Sequence, residues 1–131
     1  MHASPENRYR AAALFRAELR RFLRQSEDCA RRFGLTPRQH LLLLQIAGSE
    51  TGSATVSELV QRLALTQSAV TELVQRAEEA GLVARTPSAV DGRVSDLHLT
   101  AEGARRLAGV HDALGPEREH LRALLDAPGP S

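Results

Sequence analysis

VSELVQRLALTQSAVTELVQRAEEAGLVAR, residues 56–85, decides the architecture. Thr55-Val56-Ser57-Glu58 is a capping box: a threonine whose hydroxyl can take one free amide, with a glutamate three residues on to take another. It opens a short helix carrying Leu59, Val60, Leu63 and Ala64. Leu65-Thr66 follows, and Thr66 caps a second helix with Ala69, Val70, Leu73, Val74 and Ala77 on its inner face. Gly81 stops that helix, since glycine accepts the left-handed conformation that ends helices. Two helices joined by so short a turn predict a helix-turn-helix.

Downstream, Leu82–Thr86 and Val94–Leu99 read as two short strands, with the turn dipeptide Asp91-Gly92 between them. A β-hairpin therefore follows the helix-turn-helix directly. Upstream, Thr36-Pro37-Arg38-Gln39 is another capping box with proline in the first turn, and the run Leu41–Leu44 with Ile46 and Ala47 makes its helix the most apolar. Gly48–Ser53 is expected to be loop. The first helix starts at Ser4-Pro5 and ends at Gly34. Phe15, Leu19, Phe22, Ser26, Cys29 and Phe33 recur along it at steps of four and three, a helical seam longer than one small domain can cover. Beyond the hairpin, Thr100 caps a helix through Leu107, Val110 and Leu114. Gly115-Pro116 breaks it, a last helix runs through Leu121, Leu124 and Leu125, and Ala127–Ser131 is expected to fray.

The fold class expected is mainly α with a small β-hairpin wing (α+β), in one domain over 1–131. Its 36–99 lobe is a winged helix-turn-helix, flanked by helices over 5–33 and 100–126. The 131 residues suffice for one core, and 42% apolar with 25% charged residues is ordinary globular composition. No apolar run reaches bilayer length and no signal-peptide segment opens the chain, so a cytoplasmic location without membrane contact is expected. Cys29 stands alone, which excludes an internal disulfide. Net charge is +1, but it is unevenly spread: residues 1–40 hold nine Arg against four acids, and residues 54–96 hold four Arg against six acids.

LTPRQHLLLLQIA at 35–47, the stretch 56–85, and DGRVSDLHLTAEG at 91–103 together resemble the MarR family of winged-helix regulators. The resemblance covers about half the chain in motifs and nearly all of it in architecture. It implies a homodimer on double-stranded DNA that reads a pseudo-palindromic operator, most often as a repressor, modulated by a small-molecule effector near the junction of the dimer helices and the lobe. Phe15, Leu19, Phe22, Leu121, Leu124 and Leu125 would form the dimer interface. One departure stands out: the wing commonly reads Asp-Arg-Arg or Asp-x-Arg, and here it is Asp91-Gly92-Arg93.

The residues support the same chemistry. A helix fits the major groove and presents its N-terminal side chains to base edges. Those are Thr66, Gln67, Ser68 and Thr71; Gln67 can pair bidentately with adenine, and the hydroxyls can reach bases or phosphates. Thr55 and Ser57, opening the preceding helix, join the expected contacts. Arg76 can reach a phosphate or neutralise Glu72 one turn away. As the resemblance implies, Arg93 would enter the minor groove, a narrow negative channel, oriented by Asp91. The alternative is a surface arginine paired with Asp91. Arg85 would brace the wing through Asp91. The bland alternative for the helix residues is a solvated face with good capping chemistry.

No histidine has a partner at metal-ligand spacing, and no nucleophile elbow, phosphate loop or Ser/His/Asp grouping appears. Neither a cofactor, a metal nor an enzymatic activity is expected. His40 opens the buried second helix and reads first as a core histidine. The arginines of the first helix read as a solvated face. Two alternatives remain: a winged-helix protein-interaction module without DNA binding, supported by the acidic lean of 54–96 and by Gly92, and a redox-switched regulator working through Cys29. For Cys29 the packing role is the stronger, because free cysteine behaves as a small buried hydrophobe.

Overall fold

A computed structural model describes residues 5–126, with side chains from Asn7 onward. The expected cap at Ser4 and the tail 127–131 lie outside the described residues. The elements run α1 (Pro5–Arg32), α2 (Pro37–Ala47), β1 (Ser53–Ala54), α3 (Val56–Leu63), α4 (Gln67–Glu79), β2 (Val83–Pro87), β3 (Ser95–Leu99), α5 (Ala101–Ala113) and α6 (Gly115–Asp126). Each capping signal forms as the residue types dictate. Thr36 accepts from the Gln39 amide while Gln39 Oε1 accepts from Thr36 N, at 3.1 and 3.0 Å. Thr55 and Glu58 repeat the exchange at 3.2 and 3.0 Å, and Thr66 accepts from Ala69 N at 3.2 Å. Each such cap is worth about 1 kcal/mol.

The core sits where α2, α3, α4 and the sheet converge. Leu42, Leu43, Ile46, Leu59, Val70 and Val74 are fully buried there. Cys29 is buried against α5, its thiol 3.9 Å from the Val110 carbonyl. This places it in a packing role and withdraws it from solvent oxidants.

Two features of the lobe differ from expectation. The hairpin is one part of a three-stranded antiparallel sheet of order β1-β3-β2. The stretch read as loop up to Ser53 ends in strand β1, with Ser53 opposite His98 and Ala54 opposite Leu97. Two residues carry no alternation, so the strand exists only through its ladder with β3. The turn between α3 and α4 hinges on Ala64, at φ 53° and ψ 42°. An L-residue pays steric strain of about 1 kcal/mol there, which Gly or Asn would relieve.

Thr100 locks the wing to the C-terminal helices. Its amide donates to the Leu82 carbonyl at 3.0 Å, its hydroxyl donates to the Gly81 carbonyl at 2.6 Å, and Gly103 N donates back to that hydroxyl at 3.1 Å. The end of α4 and the start of α5 thus share one polar joint.

Candidate nucleic-acid interface

Helix α4 divides cleanly. Val70, Leu73, Val74 and Ala77 face the core, while Gln67, Ser68 and Thr71 stand exposed on the opposite side of its first two turns. The division follows from the 3.6-residue period, and the Thr66 cap fixes where the first turn begins. The Thr66 hydroxyl also lies 3.4 Å from Ser68 Oγ. It is therefore engaged with its own helix, as is Thr55 on α3; Ser57 beside Thr55 is exposed.

The wing brings Asp91 and Arg93 together as expected. Asp91 Oδ1 accepts from the Arg93 amide at 3.0 Å and lies 3.5 Å from its Nε. The Arg93 side chain remains 94% exposed, so the carboxylate steers the guanidinium without hiding it. Ser88 Oγ accepts from Val90 N at 3.2 Å and Asp91 N at 3.4 Å, which shapes the loop before the turn. Gly92 is not among the glycines at positive φ, and a Cβ built on it would meet nothing within 4 Å. No backbone requirement holds glycine at that position.

Arg85 does not brace Asp91. Its Nε donates to Glu78 Oε1 at 2.9 Å, tying β2 to the last turn of α4. The reason is position: Arg85 lies opposite Leu97 in the ladder, near the root of the wing, whereas Asp91 lies beyond the paired residues. Arg76 takes the neutralising role, with Nη2 2.7 Å from Glu72 Oε1. Glu58 is also paired, 3.2 Å from Arg62. Hydrogen bonds from Thr55, the backbone amide first, hold the Glu58 carboxyl below its ordinary range, with help from Arg62.

One residue of this face escaped sequence reasoning. Arg38, in the first turn of α2, lines a groove of about 290 Å³ with Thr36, Gln39, Ala69, Glu72, Leu73 and Arg76. The fold thus sets an exposed guanidinium beside the outer flank of α4, with no ion-pair partner among the described residues. A signal existed: a cation in the first turn of a helix opposes the helix dipole.

The flanking helices pack on each other, His120 Nε2 lying 3.2 Å from Glu18 Oε2 between α6 and α1. Leu19, Phe22, Leu121 and Leu124 are half-buried in this way. Tyr9, Leu14, Phe15 and Leu125 keep 71%, 54%, 37% and 60% of their surface exposed. His40 is buried at the junction of α1 and α2, and burial pushes its pKa down. Among the described residues no cluster of potential metal ligands occurs, and no helix is long and apolar enough to cross a membrane.

Helix-turn-helix, three-stranded wing and flanking helices define a winged helix-turn-helix protein. Residues 33–94 match the MarR family profile. The HTH-type transcriptional repressor MdtR of Bacillus subtilis is 43% identical over 70 residues, 53% of this chain and 44% of that protein. Two solved structures share the fold. Tm0710, a transcriptional regulator from Thermotoga maritima, has a TM-score of 0.69 at 28% identity, covering 88% of this chain and 80% of its own. A mutant MarR from E. coli, complexed with operator DNA, has a TM-score of 0.69 at 22% identity, covering 91% and 85%. Over residues 33–94 the chain is similar to the MarR family. It spans less than half the length of the repressor it matches.

Proposed function

We propose that the protein is a homodimeric transcriptional repressor that reads a pseudo-palindromic operator, with α4 in the major groove and the wing in the adjacent minor groove. The observation that carries this reading is the uncharged hydrogen-bonding face of Gln67, Ser68 and Thr71 at the exposed start of α4, beside a wing that presents Arg93. The name of the MdtR repressor and the operator complex of MarR point the same way. Arg38 and Arg76 would hold the phosphates that flank the groove.

Two copies are needed because one module makes too few contacts for specific binding. The exposed Tyr9, Leu14, Phe15 and Leu125 supply apolar surface for the second copy, next to the half-buried Leu19, Phe22, Leu121 and Leu124. A small-molecule effector would act at the junction of α1 and α2. There a cleft of about 70 Å³ lies beside His40 and Leu41.

The test is a salt series of binding to the DNA upstream of the gene, against random duplex, with Gln67→Ala and Arg93→Ala alongside. Discrimination that falls with Gln67→Ala, and a shallower salt slope with Arg93→Ala, would support the reading. The rival is a protein-interaction module. It draws on the pairing of all four arginines of residues 54–96 with carboxylates. Equal, salt-insensitive affinity for operator and random duplex would favour it.

A further inference from the structure

Within the reading lobe the arginines of residues 54–96 are already shared with carboxylates, and among the described residues Arg38 is the unpaired exception. Arg62, Arg76, Arg85 and Arg93, all the arginines of residues 54–96, each lie within 3.5 Å of a carboxylate oxygen. Helix α1 is the opposite case. It carries eight arginines, and among the described residues only Arg31 is ion-paired, with Asp28 at 3.4 Å. Arg16, Arg20 and Arg24 follow one another at i, i+4, so they form a single ridge rising about 6 Å per step and about 12 Å in all. All three are exposed. The ridge lies on the opposite side of the helix from Phe15, Phe22 and Cys29, so packing of α1 through its apolar seam leaves it open.

We propose that this ridge is a second, sequence-independent DNA-binding surface, which takes the phosphate backbone of duplex outside the operator. Two features suit the ridge to DNA. The guanidinium fork matches phosphate oxygens, as it also matches carboxylates. The charges also repeat along a straight line, as backbone phosphates do. Ala13, Ala17, Tyr9 and Leu23 share this face with the three arginines, Tyr9 and Leu23 being 71% and 51% exposed. Glu27 at the edge of the ridge limits it to the three arginines before it. The surface would gather the protein onto DNA, while the paired lobe supplies discrimination.

The experiment compares the full-length chain with an Arg16→Gln/Arg20→Gln/Arg24→Gln variant on random-sequence duplex across a salt series. Each phosphate contact contributes about 0.9 to the slope of log affinity against log salt. Loss of three should flatten the slope by about 2.7, so that the weakening between about 50 and 200 mM salt shrinks by roughly 40-fold. The operator-to-random preference should stay unchanged. An Arg-to-Lys triple variant should restore the slope, since counterion release needs only charge; a folding defect would not be rescued in this way. A variant carrying Gln67→Ala and Arg93→Ala should lose operator preference yet keep the ridge-dependent part of the slope. This separates failure of operator reading from failure of the ridge. An unchanged slope in the glutamine variant overturns the proposal. So does a slope unchanged on DNA with binding lost instead to polyglutamate or to anionic phospholipid vesicles.

Discussion

Replacing Gly103 with alanine tests whether the joint between the wing and the C-terminal helices is as tight as it is drawn. A Cβ at Gly103 would lie 3.0 Å from the Leu82 carbonyl carbon, 3.3 Å from its Cα and closer still to its carbonyl oxygen. Those atoms are backbone and cannot rotate away. The same oxygen accepts the 3.0 Å hydrogen bond from Thr100 N, so displacement by about 1 Å also weakens the joint. Overpacking of this kind costs about 1–3 kcal/mol and a strained backbone bond about 1 more. The gain in helix propensity offsets about 1 kcal/mol. The net expectation is a loss of about 2 kcal/mol, read as a fall in urea midpoint at fixed protein concentration. Gly109→Ala is the control. Its Cβ would also crowd a neighbour, but that neighbour is the ring of Phe33, itself 37% exposed and able to turn outward. There the propensity gain should leave stability within about 0.5 kcal/mol of the parent. A Gly103→Ala protein as stable as the parent, or a Gly109→Ala protein that loses more, would refute the distinction between rigid and movable neighbours.

Ala64→Gly should raise stability by up to about 0.5 kcal/mol, because glycine relieves left-handed strain of about 1 kcal/mol at φ 53° while adding about 0.5–1 kcal/mol of unfolded-chain freedom; thermal melts would read it. Gly92→Arg should fold as well as the parent, since nothing lies within 4 Å of the new Cβ, and should steepen the salt dependence of DNA binding by about 0.9. His40 is kept neutral by burial, so as pH falls below its ordinary 6.5 the unfolded chain takes up a proton that the folded chain resists. Stability should therefore fall as pH drops below 6.5, until the lowered folded value is passed, and His40→Gln should remove that loss. A second decline, carried by Glu58 and Glu102, should begin only below their ordinary 4.5, where the depressed carboxyls of the folded chain resist protonation. Cys29, fully buried, should react with a thiol reagent only at the rate of unfolding; rapid labelling of the native protein would contradict its packing role.

What the sequence determined by itself was local. Four threonine caps, at Thr36, Thr55, Thr66 and Thr100, and the period of the buried residues are written in contiguous stretches, because a cap bonds to an amide three residues away and a helical face repeats within two turns. The exposed start of α4 and the Asp91–Arg93 pair were legible for the same reason. The tertiary structure alone decided the partners that lie far apart in the chain. Ser53 and Ala54 become a strand only because His98 and Leu97 come alongside. Arg85 meets Glu78 rather than Asp91 because the sheet register carries it to the end of α4. Arg38 reaches the flank of α4 because α2 packs there, and the left-handed Ala64 is tolerated because the core on either side of the turn holds it. A charge or a backbone group chooses its partner by distance in space, and a pattern of residue types along the chain does not contain that distance.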